Sequence, residues 1–302
     1  MILTVTYNPA VDQTMTFEKP LAPETVNRAT DARFDAGGKG INVSQFLAGM
    51  DTETVATGLL GGFTGDFVTD QLQAAGIETA FVATDEPTRL NTTALADGTE
   101  YKLNQSGPAV DIAVVDELLD RIADCDPERV LVGGSLPPGL DTGAIDRIAA
   151  AGSWETTVDV TGDLLRALDG EYALCKPNRE ELAAATERSV ETVEDCVAAA
   201  SALREQGFER VVASLGADGA VLVGPNGAVY ADPLDVDVVD TVGAGDALLS
   251  GVLAALERGD GDELALATGV AVASRVVAQA GTGVPDLDTV FEGRSDVETR
   301  RL

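Results

Sequence analysis

Histidine is absent from the 302-residue sequence, and cysteine is scarce. Without histidine, a histidine-based catalytic triad and a histidine-rich metal site are excluded, and a general base has to be a carboxylate. Cys125, Cys175 and Cys196 are odd in number and lack CxxC spacing, which is typical of reduced cysteines that pack in a cytosolic protein. No apolar run reaches membrane-spanning length, and no basic segment of a signal peptide precedes the first strand-like residues. We therefore expect a cytoplasmic location.

Positive charge and aromatic side chains are also in short supply. The chain has 20 basic and 51 acidic residues, a net charge of −31 and 4% aromatic residues. This charge argues against nucleic acid or an anionic membrane surface as a partner. Because the acids are spread along the chain, the surface is suited to a medium in which salt screens their repulsion, which predicts a halophilic cytoplasm.

The order of apolar segments predicts the fold class. From residue 54 onward, strand-like and helix-like segments alternate, as in RVLVGG, AIDRIAAAG and TTVDVTG. This order favours an α/β fold with a mostly parallel central sheet and helices on both faces, in one large domain over residues 1–302. Strands that end in polar or glycine loops, such as Gly133-Gly134-Ser135 and Lys176-Pro177-Asn178, are expected to line one crevice. The C-terminal segment RSDVETRRL is expected to be loosely held.

Two polar, β-rich segments stand outside that order, within roughly residues 11–35 and 88–104. The second contains Asp97-Gly98, a hairpin turn signal. The sequence therefore predicts a small sheet beside the main body, suited to cover a site as a lid or to bind a second subunit.

The segment Asp240-Thr241-Val242-Gly243-Ala244-Gly245-Asp246 precedes an apolar, helix-like run, ALLSGVLAAL. Small residues at a helix start let a ligand approach the backbone, and the free amides and helix dipole there favour an anion. An aspartate at such a site suits chemistry in which the anion is a terminal phosphate and the carboxylate takes a proton from an attacking hydroxyl. The alternative is a helix that is merely capped after a glycine turn, and the motif alone does not decide between them.

Two earlier segments carry further polar candidates. Asp12 follows the first strand, where α/β folds place ligand contacts, although a simple turn residue is the alternative. In Gly37-Gly38-Lys39-Gly40-Ile41-Asn42, the glycines allow backbone contact with a ligand, and Asn42 offers a donor and an acceptor. Lys39 is one of four lysines, so its place in a glycine loop favours contact with an anion. The segment is neither a Walker A loop nor a Rossmann fingerprint.

These motifs, in this order, resemble the PfkB (ribokinase-like) carbohydrate kinases over essentially the whole chain. The resemblance rests on the two glycine motifs above, on Asn178-Arg179-Glu180-Glu181 and on the loop SLGADG at residues 214–219. Three further segments, NPAVD, PTR and GSLPPG, resemble the branch that includes 1-phosphofructokinase, tagatose-6-phosphate kinase and the minor 6-phosphofructokinase. The resemblance implies a ribokinase-like three-layer fold with a small β-sheet lid.

The resemblance also implies roles for individual residues. Asp246 would be the catalytic base, and Gly243, Ala244 and Gly245 would form the anion hole for the transferred phosphoryl group. The phosphosugar would be bound by Asp12, Gly38, Lys39, Asn42, Arg89, Lys102 and Ser135. The nucleotide would be bound by Lys176, Asn178, Ser214, Gly216, Gly219, Thr241, Gly243 and Gly245. Asn178 and Glu181 would hold Mg²⁺, largely through water. For Lys102 a solvated surface position is the alternative, and for Lys176 a structural role.

The implied activity is ATP-dependent phosphorylation of a phosphosugar, most simply of fructose 1-phosphate to fructose 1,6-bisphosphate. Tagatose 6-phosphate and fructose 6-phosphate are the alternative substrates, and a homodimer through the lid strands is the implied assembly. A non-catalytic sugar-phosphate sensor on the same fold is a different class of protein, which has no need of a base at position 246. A nicotinamide oxidoreductase is disfavoured by the missing fingerprint.

Overall fold

The computed structural model describes residues 1–279, 281 and 283–302. The strands are β1 Ile2–Thr6, β2 Ala10–Phe17, β3 Asp31–Gly37, β4 Thr54–Leu60, β5 Glu78–Thr79, β6 Val82–Ala83, β7 Arg89–Ala96, β8 Thr99–Asn104, β9 Arg129–Gly133, β10 Glu155–Asp159, β11 Tyr172–Cys175, β12 Phe208–Ser214, β13 Ala220–Gly224, β14 Gly227–Ala231 and β15 Thr299–Arg301. The α-helices are α1 Lys39–Gly49, α2 Gly62–Ala74, α3 Val114–Cys125, α4 Gly143–Ala151, α5 Gly162–Ala167, α6 Arg179–Thr186, α7 Val193–Glu205, α8 Ala244–Glu257, α9 Asp262–Val277 and α10 Val290–Gly293. Among these helices, none has both the length and the apolar composition needed to cross a membrane.

The main sheet has the strand order β15-β14-β13-β12-β11-β10-β9-β1-β4-β5, and β6 also pairs with β4. The strands from β12 to β5 run parallel, and β13, β14 and β15 continue the sheet antiparallel. Parallel strands need crossover connections, and helices supply them. The carboxyl ends of the parallel strands therefore meet at one edge of the sheet.

Both faces of the main sheet are buried, as the alternating side chains of β9 illustrate. Val130 and Val132 pack into one cluster with side chains of α3, α4, α6 and α7. Leu131 points to the other face, into a cluster with side chains of α1, α8 and α9. The three-layer architecture expected from the sequence is therefore confirmed.

Helix α8, which carries Asp246, lies very close to α9. A Cβ atom on Gly251 of α8 would come within 2.8 Å of the Cα atom of Gly269 on α9. A side chain at either glycine would push the two helices apart, so glycine at both positions lets α8 pack closely against α9.

A separate four-stranded sheet, called the second sheet below, has the order β3-β2-β7-β8. Strand β2 is antiparallel to β3 and parallel to β7, and β7 and β8 form a hairpin. Asp97 and Gly98 turn that hairpin with φ of 49° and 75°, as expected for the predicted Asp-Gly turn. The predicted small sheet is confirmed, in the two segments from which it was expected.

The C-terminal expectation was wrong. Residues 299–301 form β15, which pairs antiparallel with β14, and Val297 just before it is buried in the core. Only one edge of the segment is covered, so charged side chains are tolerated on it. These charges hide a strand pattern in the sequence. Backbone pairing with β14, not side-chain hydrophobicity, holds it in place.

Candidate active site

The candidate site lies where the central parallel strands end. Gly133 of β9 and Asp159 of β10 are register partners, and Lys176 follows directly after β11, with its amide bonded to the carbonyl of Val158 at 3.1 Å. Asn178 bridges to Ser214 at the end of β12. The loops predicted to share one crevice after β9, β11 and β12 therefore come together at this edge.

Asp246 occupies the first turn of α8. Helix α8 begins after Gly243, whose φ of 78° is a left-handed conformation that suits glycine. The first intrahelical hydrogen bond runs from the Ala247 amide to the Gly243 carbonyl at 2.9 Å, so the amides of Gly245 and Asp246 lie ahead of it. The helix start thus presents amides to an anion beside a carboxylate that is only 9% exposed.

The carboxylate of Asp246 is held by a residue from the first glycine motif. Asn42 Nδ2 donates to Asp246 Oδ2 at 2.7 Å. Burial and the nearby carboxylate of Asp159 raise the pKa of Asp246 to about 6, against the lowering effects of Asn42, Lys39 and Lys176. A carboxylate with a pKa near 6 is a stronger base than a solvated aspartate and is still ionised at neutral pH.

The segment at residues 37–42 builds the start of α1, which begins at Lys39. Gly38 has a φ of 129°, and a Cβ atom there would approach Thr6 Cγ2 at 2.7 Å. A Cβ atom on Gly40 would approach Thr6 Oγ1 at 2.5 Å. The glycines therefore let α1 start directly against the end of β1. This placement brings Asn42 of α1 to Asp246.

A cluster of charges lies beside this pair. Lys39 Nζ is 2.7 Å from Asp159 Oδ1 and 3.7 Å from Glu181 Oε1, and Lys176 Nζ is 3.4 Å from the same oxygen of Asp159. Asp159 and Lys176 are almost fully buried. Burial by itself lowers the pKa of Lys39, but the carboxylates of Asp159, Glu181 and Asp246 outweigh it and the pKa is raised. Two fixed cations are thus present in a strongly acidic chain.

Sequence reasoning missed Asp159. It closes the apolar strand TTVD, and an acid at the carboxyl end of a central parallel strand was the available signal. Among the described residues, its Oδ2 atom is buried without a hydrogen-bond partner. An ionised oxygen in that state is costly unless a cation or a donor reaches it.

The predicted sugar-side residue Asp12 lies on β2 of the second sheet. Asn91 Nδ2 donates to Asp12 Oδ1 at 3.0 Å. Burial raises the pKa of Asp12, and the bond from Asn91 and the charge of Arg89 oppose that rise. A Cβ atom on Gly37 would lie 2.0 Å from Asp12 Oδ2, so glycine at this position makes room for the carboxylate.

Arg89, predicted among the residues that bind the phosphosugar, donates to backbone carbonyls. Its Nη2 donates to Asn8 O at 2.9 Å, its Nη1 to Gln105 O at 3.2 Å and its Nε to Pro9 O at 3.4 Å. Asn8 Nδ2 in turn donates to Ser135 Oγ at 3.2 Å. Arg89 and Ser135 therefore both border the turn that follows β1.

Lys102 lies on β8 with its side chain 60% exposed, and its ion pair is with Glu100 at 3.4 Å. Among the described residues, no ion pair links it to the site cluster. In this structure Lys102 is an exposed residue of the second sheet, outside the site cluster.

A cleft of about 620 Å³ opens on the other side of α8. Its walls are largely apolar, with Leu248 and Val270 among them, which suits a flat heterocycle. The predicted nucleotide residues among its lining are Ser214, Gly216, Gly219, Thr241 and Gly245. A Cβ atom on Gly245 would lie 3.4 Å from Lys176 Nζ, so Lys176 lies between this cleft and Asp159.

Asn178 and Glu181 form a capping box at the start of α6. Asn178 Oδ1 accepts from the Glu181 amide at 2.8 Å, and Glu181 Oε2 accepts from the Asn178 amide at 2.9 Å. The Asn178 side-chain oxygen is therefore used, whereas Glu181 Oε1 stays turned toward Lys39. Nowhere in residues 1–279, 281 and 283–302 do three or more acidic or cysteine side chains form a metal cage.

Comparison with known proteins adds three findings. The profile described as pfkB family carbohydrate kinase matches residues 5–289. A 1-phosphofructokinase of Haloferax volcanii is 55% identical over 99% of this chain and 98% of its own, and a D-tagatose-1-phosphate kinase of Bacillus licheniformis is 32% identical over 100% of both. Phosphofructokinase-2 of Escherichia coli, in a crystal structure with fructose-6-phosphate, superposes with a TM-score of 0.87 at 26% identity, covering 97% of this chain and 99% of that one.

Proposed function

The chain belongs to the pfkB family of carbohydrate kinases, and from that membership we propose that it phosphorylates fructose 1-phosphate with ATP, giving fructose 1,6-bisphosphate. One observation carries the choice of sugar: the 55% identity with a 1-phosphofructokinase across nearly the full length of both chains. The proposed reaction is the transfer of the γ-phosphoryl group to the 6-hydroxyl of the sugar, with ADP as the leaving group.

Asp246 is the general base in this proposal. Its carboxylate takes the proton of the attacking hydroxyl while that oxygen bonds to phosphorus and the bond to ADP breaks. Its burial, its raised pKa and the bond from Asn42 support the role, since they describe a basic and oriented carboxylate. Asn42 positions the base, and its amide oxygen, to which none of the described side chains donates, is left for the sugar.

The start of α8 is the proposed anion hole. The amides of Gly245 and Asp246 and the positive end of the helix dipole would stabilise the charge that develops on the transferred group. Lys176 Nζ adds fixed positive charge 3.4 Å from where a Cβ atom on Gly245 would lie, and Lys39 shares the carboxylate oxygen of Asp159 with it. Positioning and charge stabilisation of this kind are what phosphoryl transfer demands.

For the sugar end, we propose Asp12, Gly38, Asn42 and Ser135 as contacts with hydroxyls, and Arg89 as the contact with the phosphate. The three bonds to carbonyls use three of the five guanidinium N–H groups of Arg89, so two remain for a phosphate, and the exposed 3.2 Å bond to Gln105 is the one most easily exchanged for a further contact. Lys102 is left out of the proposal because its side chain is solvated.

For the nucleotide, we propose that the apolar cleft beside α8 takes the base of ATP and that Lys176 faces the phosphates. The donor set fits Mg²⁺, which prefers oxygen ligands and retains several waters. Glu181 would hold it through water, and Asn178 would orient Glu181 through the capping box. Asp159 contacts the same Lys39 ammonium as Glu181, and its Oδ2 atom has no hydrogen-bond partner among the described residues. When bound, Mg²⁺ would neutralise phosphate charge.

We further propose that residues 1–302 act as one kinase domain in the cytoplasm, with the second sheet as a lid and as the surface of a homodimer. Exposed apolar side chains on that sheet support an interface, since Phe34 is 45% and Leu103 is 62% exposed. Light scattering of the wild type and of Leu103→Glu tests the dimer, which the variant should weaken. The acid-rich surface supports a requirement for salt.

The experiment that tests the activity is a phosphosugar panel in a coupled ADP-release assay at high KCl. Fructose 1-phosphate should give the highest kcat/KM, against fructose 6-phosphate, tagatose 1-phosphate and tagatose 6-phosphate. The similar D-tagatose-1-phosphate kinase and the similar structure with fructose-6-phosphate make those two sugars relevant alternatives. Tagatose 6-phosphate is included because the sequence motifs left it open. Turnover of only unphosphorylated sugars or nucleosides would overturn the proposal.

A non-catalytic sensor is the competing class of function. The buried base and the open helix start beside it count against it, because binding alone requires neither. Phosphosugar binding by calorimetry without any ADP release would favour the sensor.

A further inference from the structure

We propose that Asn91 is a positioning residue that sets the orientation of Asp12 for the sugar hydroxyls. The inference rests on the proposed function, since it takes Asp12 as a sugar contact. It concerns a residue that carries no motif and that the sequence did not single out.

The first support is strand register. Asp12 on β2 and Asn91 on β7 are register partners in adjacent parallel strands, so their side chains leave the second sheet on the same face. Asn91 Nδ2 donates to Asp12 Oδ1 at 3.0 Å. Of the residues with described positions, none bonds the buried Oδ1 atom of Asn91, so the amide group is oriented through Asp12.

The second support is the environment of the other carboxylate oxygen. Asp12 Oδ2 lies over Gly37 of β3, where a Cβ atom would come within 2.0 Å. The carboxylate is thus fixed between the two neighbours of β2, by a donor on one side and a bare backbone on the other. Asn91 therefore determines which carboxylate oxygen of Asp12 accepts a hydrogen bond from the protein and which remains for a ligand.

The third support is charge. Burial and the carboxylate of Asp35 favour the neutral form of Asp12, and the bond from Asn91 and the guanidinium of Arg89 favour the ionised one. Asp35 is itself paired with Arg33 at 2.9 Å. An ionised Asp12 accepts hydrogen bonds from two sugar hydroxyls, and a protonated one would lose an acceptor.

A purely structural role is the alternative, and the chain contains a matched example. Thr92, the next residue on β7, donates from Oγ1 to Gln13 Oε1 at 3.2 Å, across the same pair of strands. Removing that bond alters the pairing of the same strands without touching Asp12.

The experiment compares Asn91→Leu and Asn91→Asp with Thr92→Val in the full-length kinase. Loss of a hydrogen bond to a charged group predicts a rise of about tenfold or more in the KM for the phosphosugar in Asn91→Leu. Asn91→Asp should be worse, because it sets a carboxylate against a carboxylate. The KM for ATP should stay within about twofold of wild type in both, as should every constant of Thr92→Val.

The double variant that combines Asn91→Leu with Asp12→Asn, compared with the single variants, distinguishes failure of this inference from failure of the proposed role of Asp12. If Asn91 acts through Asp12, Asn91→Leu adds little to the effect of Asp12→Asn in the double variant. A wild-type sugar KM in Asn91→Leu beside an impaired Asp12→Asn would overturn the inference alone. A wild-type sugar KM in Asp12→Asn would remove the proposed role of Asp12 and the inference with it. Equal rises in the KM for sugar and for ATP would show a structural role and overturn it too.

Discussion

Asn42 Nδ2 and Asp246 Oδ2 lie 2.7 Å apart, which joins the first turns of α1 and α8. The two residues are 204 positions apart in the chain and belong to its two glycine motifs. Each motif places its polar residue at a helix start on the carboxyl side of the sheet. The pair therefore links the proposed sugar side of the site to the proposed base.

Removal of the Asn42 bond should move the pH profile. The bond lowers the pKa of Asp246 from where burial and Asp159 would set it, and the net result is about 6. In the wild type, kcat/KM should therefore fall below about pH 6, where the base becomes protonated. In Asn42→Leu the acidic limb should begin at higher pH, besides any loss of sugar affinity. The measurement is a pH–rate profile from about pH 5 to about pH 9. An acidic limb at the wild-type position would contradict the coupling.

Asp246→Asn should abolish turnover and keep binding. The amide accepts the bond from Asn42 but cannot take a proton, so kcat should fall by about two to four decades. Calorimetric titration with the phosphosugar should give a Kd close to that of the wild type. Near-normal turnover in this variant would exclude Asp246 as the base.

The same variant should be more stable than the wild type at alkaline pH. The folded pKa of Asp246, about 6, lies above the ordinary value of 3.8. At a pH between these two values, the native state therefore holds a proton that the unfolded chain has released. The stability that this proton provides is lost as pH rises through the folded pKa. Since the amide that replaces the carboxylate carries no charge, the Tm of the variant should exceed the wild-type Tm by about 2 to 5 °C at about pH 8. The difference should fade below about pH 4, where both chains are neutral at this position.

Asp159→Asn should shift the acidic limb in the opposite direction from Asn42→Leu. The charge of Asp159 raises the pKa of Asp246, so its removal lets Asp246 ionise at lower pH. The matched control is Asp163→Asn, which removes the same charge from a side chain that is 84% exposed on α5. The control should retain the wild-type profile.

Stability gives a second measurement on Asp159→Asn. Lys176, 4% exposed, would lose the carboxylate of its buried ion pair. A buried pair broken on one side costs about 3 to 5 kcal/mol, so the Tm should fall by several degrees. An unchanged Tm together with an unchanged pH profile would show that Asp159 has no such influence.

The sequence predicts the elements of this site better than their contacts. The layered sheet, the second sheet and the polar ends of β9, β11 and β12 follow from apolar periodicity and turn residues, which are local signals. Asp246, Asn42 and Lys39 come from motifs, and the structure brings them together. Asp159 and Asn91 have no motif around them. Each acts through partners that are distant in the sequence, Asp159 through Lys39 and Lys176 and Asn91 through Asp12. Such contacts depend on register and on how the elements pack, which periodicity does not specify.

Salt should stabilise the protein strongly at low ionic strength. The net charge of −31 produces repulsion that the described ion pairs do not cancel, and screening shortens its range from about 30 Å at 0.01 M to about 3 Å at 1 M salt. The Tm should therefore rise with KCl, most steeply below about 1 M. Sucrose is the control, because it stabilises by exclusion and not by screening. Full stability after dialysis into low salt would contradict the halophilic interpretation.

A comparison of Gly243→Ala with Gly259→Ala should distinguish loss of the proposed anion hole from the general effect of backbone strain. Gly243 and Gly259 lie at opposite ends of α8, with φ of 78° and 83°, so alanine suffers a similar left-handed strain of about 1 to 2 kcal/mol at either position. A Cβ atom on Gly259 would meet nothing within 4 Å. Both variants should therefore lose a similar amount of stability in thermal unfolding. Only Gly243→Ala should lose kcat, by about tenfold to a hundredfold, because relaxation of its strain turns the amides of Gly245 and Asp246 away from the phosphoryl group. Equal kcat in the two variants would mean that the start of α8 binds no charge in the transition state.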